Sequence, residues 1–209
     1  MTFMTKEDFD SVRQRNGAYL PHWTMTGAIY HVSFRLHDAI PAQVRKDLLE
    51  ERQQILARIK DPSLCLTKYE KYRLVNLYSD KIERYLDAGH GACFLRDRVI
   101  AELVSNALEY FEGSRYRLFA WCVMPNHVHA MVQPLTGFHL PDILYSWKSY
   151  TAHEANKILG RNGKFWQQEY YDRMMRSEES LMNTMEYIFM NPDKAGLGNW
   201  SWRWKRDEI

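Results

Sequence analysis

Two apolar runs, YRLFAWCVM (116–124) and HVHAMVQP (127–134), are separated only by Pro125-Asn126. Pro pre-sets the backbone for a turn and Asn tolerates the conformations that a turn needs. The spacing therefore predicts an antiparallel hairpin, and with it a sheet that the rest of the chain must extend and cover. Within the second run, His127 and His129 are two residues apart, so their side chains leave the same face of the strand while Val128 and Ala130 leave the other.

A third strand is written in AIYHVSFRL (28–36). Tyr30, Val32, Phe34 and Leu36 alternate with Ile29, His31, Ser33 and Arg35, which is the pattern of a half-buried strand with a partly basic second face. Between about Pro41 and Asp87 the apolar residues recur at helical spacing in two stretches, broken at Asp61-Pro62-Ser63. Dense mixed charge on both suggests an outer cover. RDRVIAELVSNALEYFEG carries Val99, Ile100, Leu103, Val104, Ala107, Leu108 and Phe111 at helical intervals, and Gly113 ends it. Two further helices are expected over Leu140–Leu159 and from Ser180 to about Met190, with a short strand or loop in GKFWQQEYYDRMMR between them. The first twenty-five residues read as polar and irregular. This order predicts an α+β fold: a ferredoxin-like antiparallel sheet covered by helices. A helical insertion at 38–95 follows the first strand, inside a single domain spanning 1–209.

Composition narrows the class without choosing a function. The formal net charge of the 209 residues is only +2, compatible with nucleic-acid binding but no argument for it. Aromatic residues make up 14%, enough to offer stacking surfaces for unpaired bases, although most belong in a core. No apolar run is long enough for a bilayer, and MTFMTKEDFD lacks the basic head and apolar stretch of a signal peptide, so a cytoplasmic protein with no membrane partner is expected. Cys65, Cys93 and Cys122 show no metal-site spacing and are odd in number, which predicts reduced thiols.

Chemistry enters with the histidines. Two imidazoles on one strand face can share a divalent metal, although an isolated H-x-H is common on strand surfaces. Tyr187 falls opposite the apolar stripe Leu181, Met182, Met185, Ile188 and Phe189, alongside Asn183, Thr184 and Asn191. An aromatic residue there is a surface residue or a nucleophile. Asn191, one helical turn on, offers an amide oxygen suited to a hard cation. Tyr150, Tyr170 and Tyr171 are rival nucleophiles. Arg35, Lys148, Arg173 and Arg176 are the candidate phosphate contacts. Trp147 reads as core, and His31 and His153 as isolated histidines.

Taken together, AWCVMPNHVHAMV (120–132), WKSYTAHEANK (147–157), FWQQEYYDRMMR (165–176) and MEYIFMNPDKAGL (185–197) resemble the REP-associated tyrosine transposases. These are single-tyrosine, IS-element enzymes of the HUH endonuclease superfamily. The resemblance covers roughly 26–36 and 95–200. It implies that His127 and His129 are the HUH metal pair and that Asn191 is a third ligand to Mg²⁺ or Mn²⁺. It also implies that Tyr187 attacks DNA, forming a 5′-phosphotyrosine and freeing a 3′-hydroxyl. Single-stranded DNA carrying hairpins would be the substrate, strand transfer the reaction, and a monomer or homodimer the active form. Segment 38–95 departs from shorter relatives, either as an additional DNA-contacting lobe or as a structural cover, and its mixed charge favours the cover. A non-catalytic hairpin binder and a water-using metal hydrolase are the competing readings.

Overall fold

In this computed structural model, residues 13–16 and 21–207 are described. Its main sheet has five strands, all paired antiparallel: β3 (Tyr30–Arg35), β4 (Tyr116–Val123), β5 (His127–Pro134), β6 (Tyr171–Met174) and β7 (Arg203–Lys205), in the order β6-β3-β5-β4-β7. The first four strands in chain order thus lie as fourth, first, third, second. That is the ferredoxin-like arrangement, with β7 added at the β4 edge. A separate hairpin pairs β1 (Arg13–Asn16) with β2 (Pro21–Thr24).

The two sheet faces are built from the two alternating sets read in the sequence. Tyr30, Val32, Phe34, Val128, Ala130 and Val132 join the larger core beneath α3 (Arg98–Glu109) and α4 (Leu140–Ile158). Asp97 caps α3 by accepting from the Val99 amide. Ile100, Ala101, Val104 and Leu108 face inward from α3, and Ile143, Leu144, Trp147 and Ala155 from α4. Tyr116 ties the layers together: its hydroxyl donates to the Leu108 carbonyl at 2.7 Å and accepts from the Trp147 indole at 2.9 Å.

The opposite face carries a smaller core of Ile29, Cys122, Met131, Leu181, Met185 and Ile188, closed by α5 (Glu178–Lys194). A register shift between Leu118 and Ala120 in β4 breaks the alternation. It places Leu118 and Trp121, three residues apart, in the same core, as a β-bulge does.

Between β3 and α3 lie α1 (Ala42–Lys60) and α2 (Lys68–Asp87), the expected insertion. Thr67 and Glu70 form a reciprocal capping box that starts α2. Leu48, Ile59 and Leu86 are buried in the larger core.

Three elements differ from expectation. The β1–β2 hairpin occupies a stretch read as irregular, and β7 falls in a tail with no assigned element. Both are short strands held by backbone pairing, which leaves little periodic signal. Helix α5 also runs past the expected end, through Pro192. Cys65, Cys93 and Cys122 are free thiols.

Candidate active site

Antiparallel partners point to the same side of a sheet. The register pairs Arg35 with His127, Ser33 with His129, His31 with Met131, and Arg173 with His31. One face therefore collects His31, Arg35, His127, His129 and Arg173, and α5 lies over part of it.

His127 and His129 are fully buried, with their Nε2 atoms 3.0 Å apart. The orientation of His127 is set by Asn126. The Asn126 amide nitrogen donates to the His90 carbonyl at 2.9 Å, which turns its oxygen toward His127 Nδ1 at 2.7 Å. A carbonyl oxygen only accepts, so Nδ1 of His127 carries the hydrogen and the Nε2 lone pair faces His129. On the far side, His129 Nδ1 lies 3.0 Å from His31 Nε2.

Burial holds all three imidazoles neutral. It pushes His31 well below the usual histidine range, with the neighbouring His129 and Arg173 acting the same way. His127 is likewise lowered by burial, then by His129, Arg35 and His31. His129 is pulled down to about 3 by burial. A neutral imidazole is the form that binds a metal.

Asn191 is buried on α5 and its side-chain oxygen has no hydrogen-bond partner. Asp87, the last residue of α2, brings Oδ1 to 3.6 Å from His127 Nε2, and this oxygen also lacks a hydrogen-bond partner. Burial raises the Asp87 pKa, while a hydrogen bond from Asn191 and the charge of Lys194 act against that. One ligand atom each from Asp87, His127 and His129 lie within 4.8 Å of one another. Two converging imidazoles and two unsatisfied oxygens fit a divalent cation: such oxygens are rarely left unpaired in a native interior unless something else satisfies them.

Tyr187 is half-buried, its ring centroid 5.7 Å from that of His129 and 6.3 Å from that of His31. Lys194 Nζ lies 5.0 Å from the same ring. The polar flank of α5 thus faces the histidines, because Leu181, Met185 and Ile188 are buried against the sheet beside it.

The remaining candidates divide. Arg35 and Arg173 share the histidine face. Lys148 instead donates to the Gln168 carbonyl at 2.6 Å and lines a cavity of about 680 Å³ beside α4, with Lys164, Trp166 and Tyr170. Burial lowers its pKa to about 8. Arg176 stacks 5.2 Å over Tyr69, at the end of α2 remote from Asp87. Tyr150 is exposed and Tyr170 lies against His22. Tyr171 meets the His31 ring edge-on at 5.8 Å. Trp147 is core, and His153 is exposed.

Sequence reasoning missed Asp87 and Asn126. The M-P-N turn preceding the H-x-H pair was a signal for Asn126. Asp87 had none, being one charged residue on a charged helix forty positions before His127.

Residues 92–191 match the family described as Transposase IS200 like. That span contains His127, His129, Tyr187 and Asn191, and begins after Asp87. A Haemophilus influenzae protein provisionally named a REP-associated tyrosine transposase is 25% identical over 97 residues, covering 39% of this chain and 52% of the relative. The chain thus spans about half the length of the curated relative it matches. A solved REP-associated tyrosine transposase bound to a REP hairpin aligns over 87% of this chain and 79% of its own, at 12% identity and a TM-score of 0.49. A solved Deinococcus radiodurans protein, provisionally named a transposase, aligns over 84% and 95%, at 15% identity and a TM-score of 0.31.

Proposed function

We propose that this chain, whose residues 92–191 match the IS200-like transposase family, is a metal-dependent strand transferase that cuts single-stranded DNA through a tyrosine. The observation that carries the reading is the meeting of Tyr187 with two buried, neutral histidines and the unsatisfied Asn191 oxygen on one sheet face. A pure binder needs no such grouping, and a hydrolase using water needs no tyrosine there.

His127, His129 and Asn191 would hold the cation, Mg²⁺ or Mn²⁺ as the family resemblance implies. When bound, it supplies positive charge at the scissile phosphate. The chain's own residues then do the following. Arg35 and Arg173 place further positive charge on the same face, where a phosphodiester must lie. α5 holds Tyr187 beside that position, so attack is in effect intramolecular. The phenol oxygen forms a bond to phosphorus as the bond to the 3′-oxygen breaks. The leaving oxygen takes up a proton as a 3′-hydroxyl, and the phenol gives up its own. One phosphodiester replaces another, so a second 3′-hydroxyl can reverse the reaction and join a new strand.

A hairpin-bearing single strand is the substrate class, supported by the motif resemblance. Tyr187 reaches the histidines of its own chain, which favours action as a monomer over a homodimer that exchanges α5. Among the described residues no helix is long and apolar enough to cross a membrane. Lys148 and Arg176 would contact DNA outside the reaction centre.

Incubation with labelled single-stranded DNA from the flanks of its gene should yield a labelled band at protein mass on a denaturing gel. The band should require Mn²⁺ and disappear in Tyr187→Phe. Cleavage that survives Tyr187→Phe points to a water-using hydrolase. A gel shift of the hairpin with no covalent band under any condition points to a binder.

A further inference from the structure

We infer that Asp87 is a protein ligand to the cation, so that the helical insertion is part of the reaction centre rather than a cover over it. The inference rests on the metal-dependent reading above and adds to it a residue that the family match, beginning at residue 92, does not contain.

Four observations converge on Asp87. Its Oδ1 lies 3.6 Å from His127 Nε2, the nitrogen whose lone pair Asn126 directs inward. The same oxygen is buried without a hydrogen-bond partner, an unfavourable position for a carboxylate unless a cation meets it. Its place is fixed from both sides. Leu86 is buried in the main core, and Gly89, at φ 71°, turns the chain so that its amide closes onto the Leu86 carbonyl at 2.9 Å. One residue further, the His90 carbonyl accepts from Asn126, so the same side chain anchors the end of the insertion and orients His127.

Charge makes the case chemical. Two neutral imidazoles and an amide offer a divalent cation no negative charge, and Arg35, Arg173 and Lys194 stand around them. Hard cations such as Mg²⁺ and Mn²⁺ favour carboxylate oxygen. Asp87 brings one negative charge to the nitrogen pair, and the Asn191 side chain, on the helix that carries Tyr187, favours its charged form.

Calorimetric titration of the full chain with Mn²⁺, without DNA, tests this. Asp87→Asn is expected to weaken Mn²⁺ binding at least tenfold while leaving the melting temperature in EDTA unchanged, and His127→Ala is expected to abolish binding. Wild-type affinity in Asp87→Asn together with loss in His127→Ala would overturn the role of Asp87 and leave the histidine centre standing. Undiminished binding in both variants would sink the centre itself. If Asp87→Asn does not fold, hydrogen exchange of the wild-type chain decides: Mn²⁺ should slow exchange in the last turn of α2, and unchanged exchange there overturns the inference.

Discussion

Asn126 acts on a neighbour's hydrogen rather than on any substrate. Its amide nitrogen is committed to the His90 carbonyl, so only its oxygen is left for His127, and that settles which imidazole nitrogen is free. Partners of this kind typically change metal affinity about 10–100-fold when removed. Asn126→Ala should therefore weaken Mn²⁺ binding by that order while Tyr187 keeps its place, and calorimetry reads the effect directly. Unaltered affinity would mean that packing alone holds the His127 ring. The MPNHVHAMV stretch, one of those that carry the family resemblance, has here a physical content: the turn that joins the hairpin also supplies the orienting amide. His31, read as an isolated histidine on a basic face, is the corresponding partner of His129.

Among the elements, α5 shows how a pattern can be legible and its meaning not. Its apolar stripe and polar flank were both visible, and Tyr187 and Asn191 fell on the polar side. A polar flank ordinarily faces water. Here it faces a sheet, because the stripe packs on Met131 and Cys122 beside the histidines, and the sheet contributes polar groups at that point. On the other face, α3, α4 and β4 meet at Tyr116, whose hydroxyl serves the Leu108 carbonyl and the Trp147 indole. Tyr116→Phe leaves both groups buried and unpaired, which costs about 1–3 kcal/mol. Urea unfolding should show that loss, with strand cleavage at wild-type rate, since the residue lies across the sheet from the reaction centre. A large fall in cleavage without a fall in stability would show that the two faces are coupled.

For the whole molecule, the three buried imidazoles set a dependence of stability on pH. In the unfolded chain each titrates near ~6.5. In the folded chain each is lowered, His129 to about 3. Below ~6.5 the unfolded state therefore binds more protons than the folded state, and stability is lost as pH falls toward the folded values. Above ~6.5 both states are neutral at these positions and the contribution is flat. In EDTA, the urea midpoint should hold between pH 8 and 7 and drop clearly by pH 5, at up to about 1.4 kcal/mol per pH unit for each histidine. A midpoint that rises or stays level between pH 7 and 5 would show that the histidines are not buried in solution.

What is periodic and local was legible in the order of residues alone. The hairpin at 116–134, the two faces of 28–36, the insertion with its break at Asp61-Pro62-Ser63, and the shared face of His127 and His129 all follow from side-chain direction along a strand or helix. Contacts across distance arise only when the elements pack. It docked the polar flank of α5 on the histidine face and sent Lys148 and Arg176 elsewhere. It also carried Asp87, from a helix whose mixed charge read as cover, to the side of His127. Periodicity records which face a residue occupies, but which faces come together depends on how whole elements bury their apolar surface. No spacing between residues 87 and 127 encodes that contact.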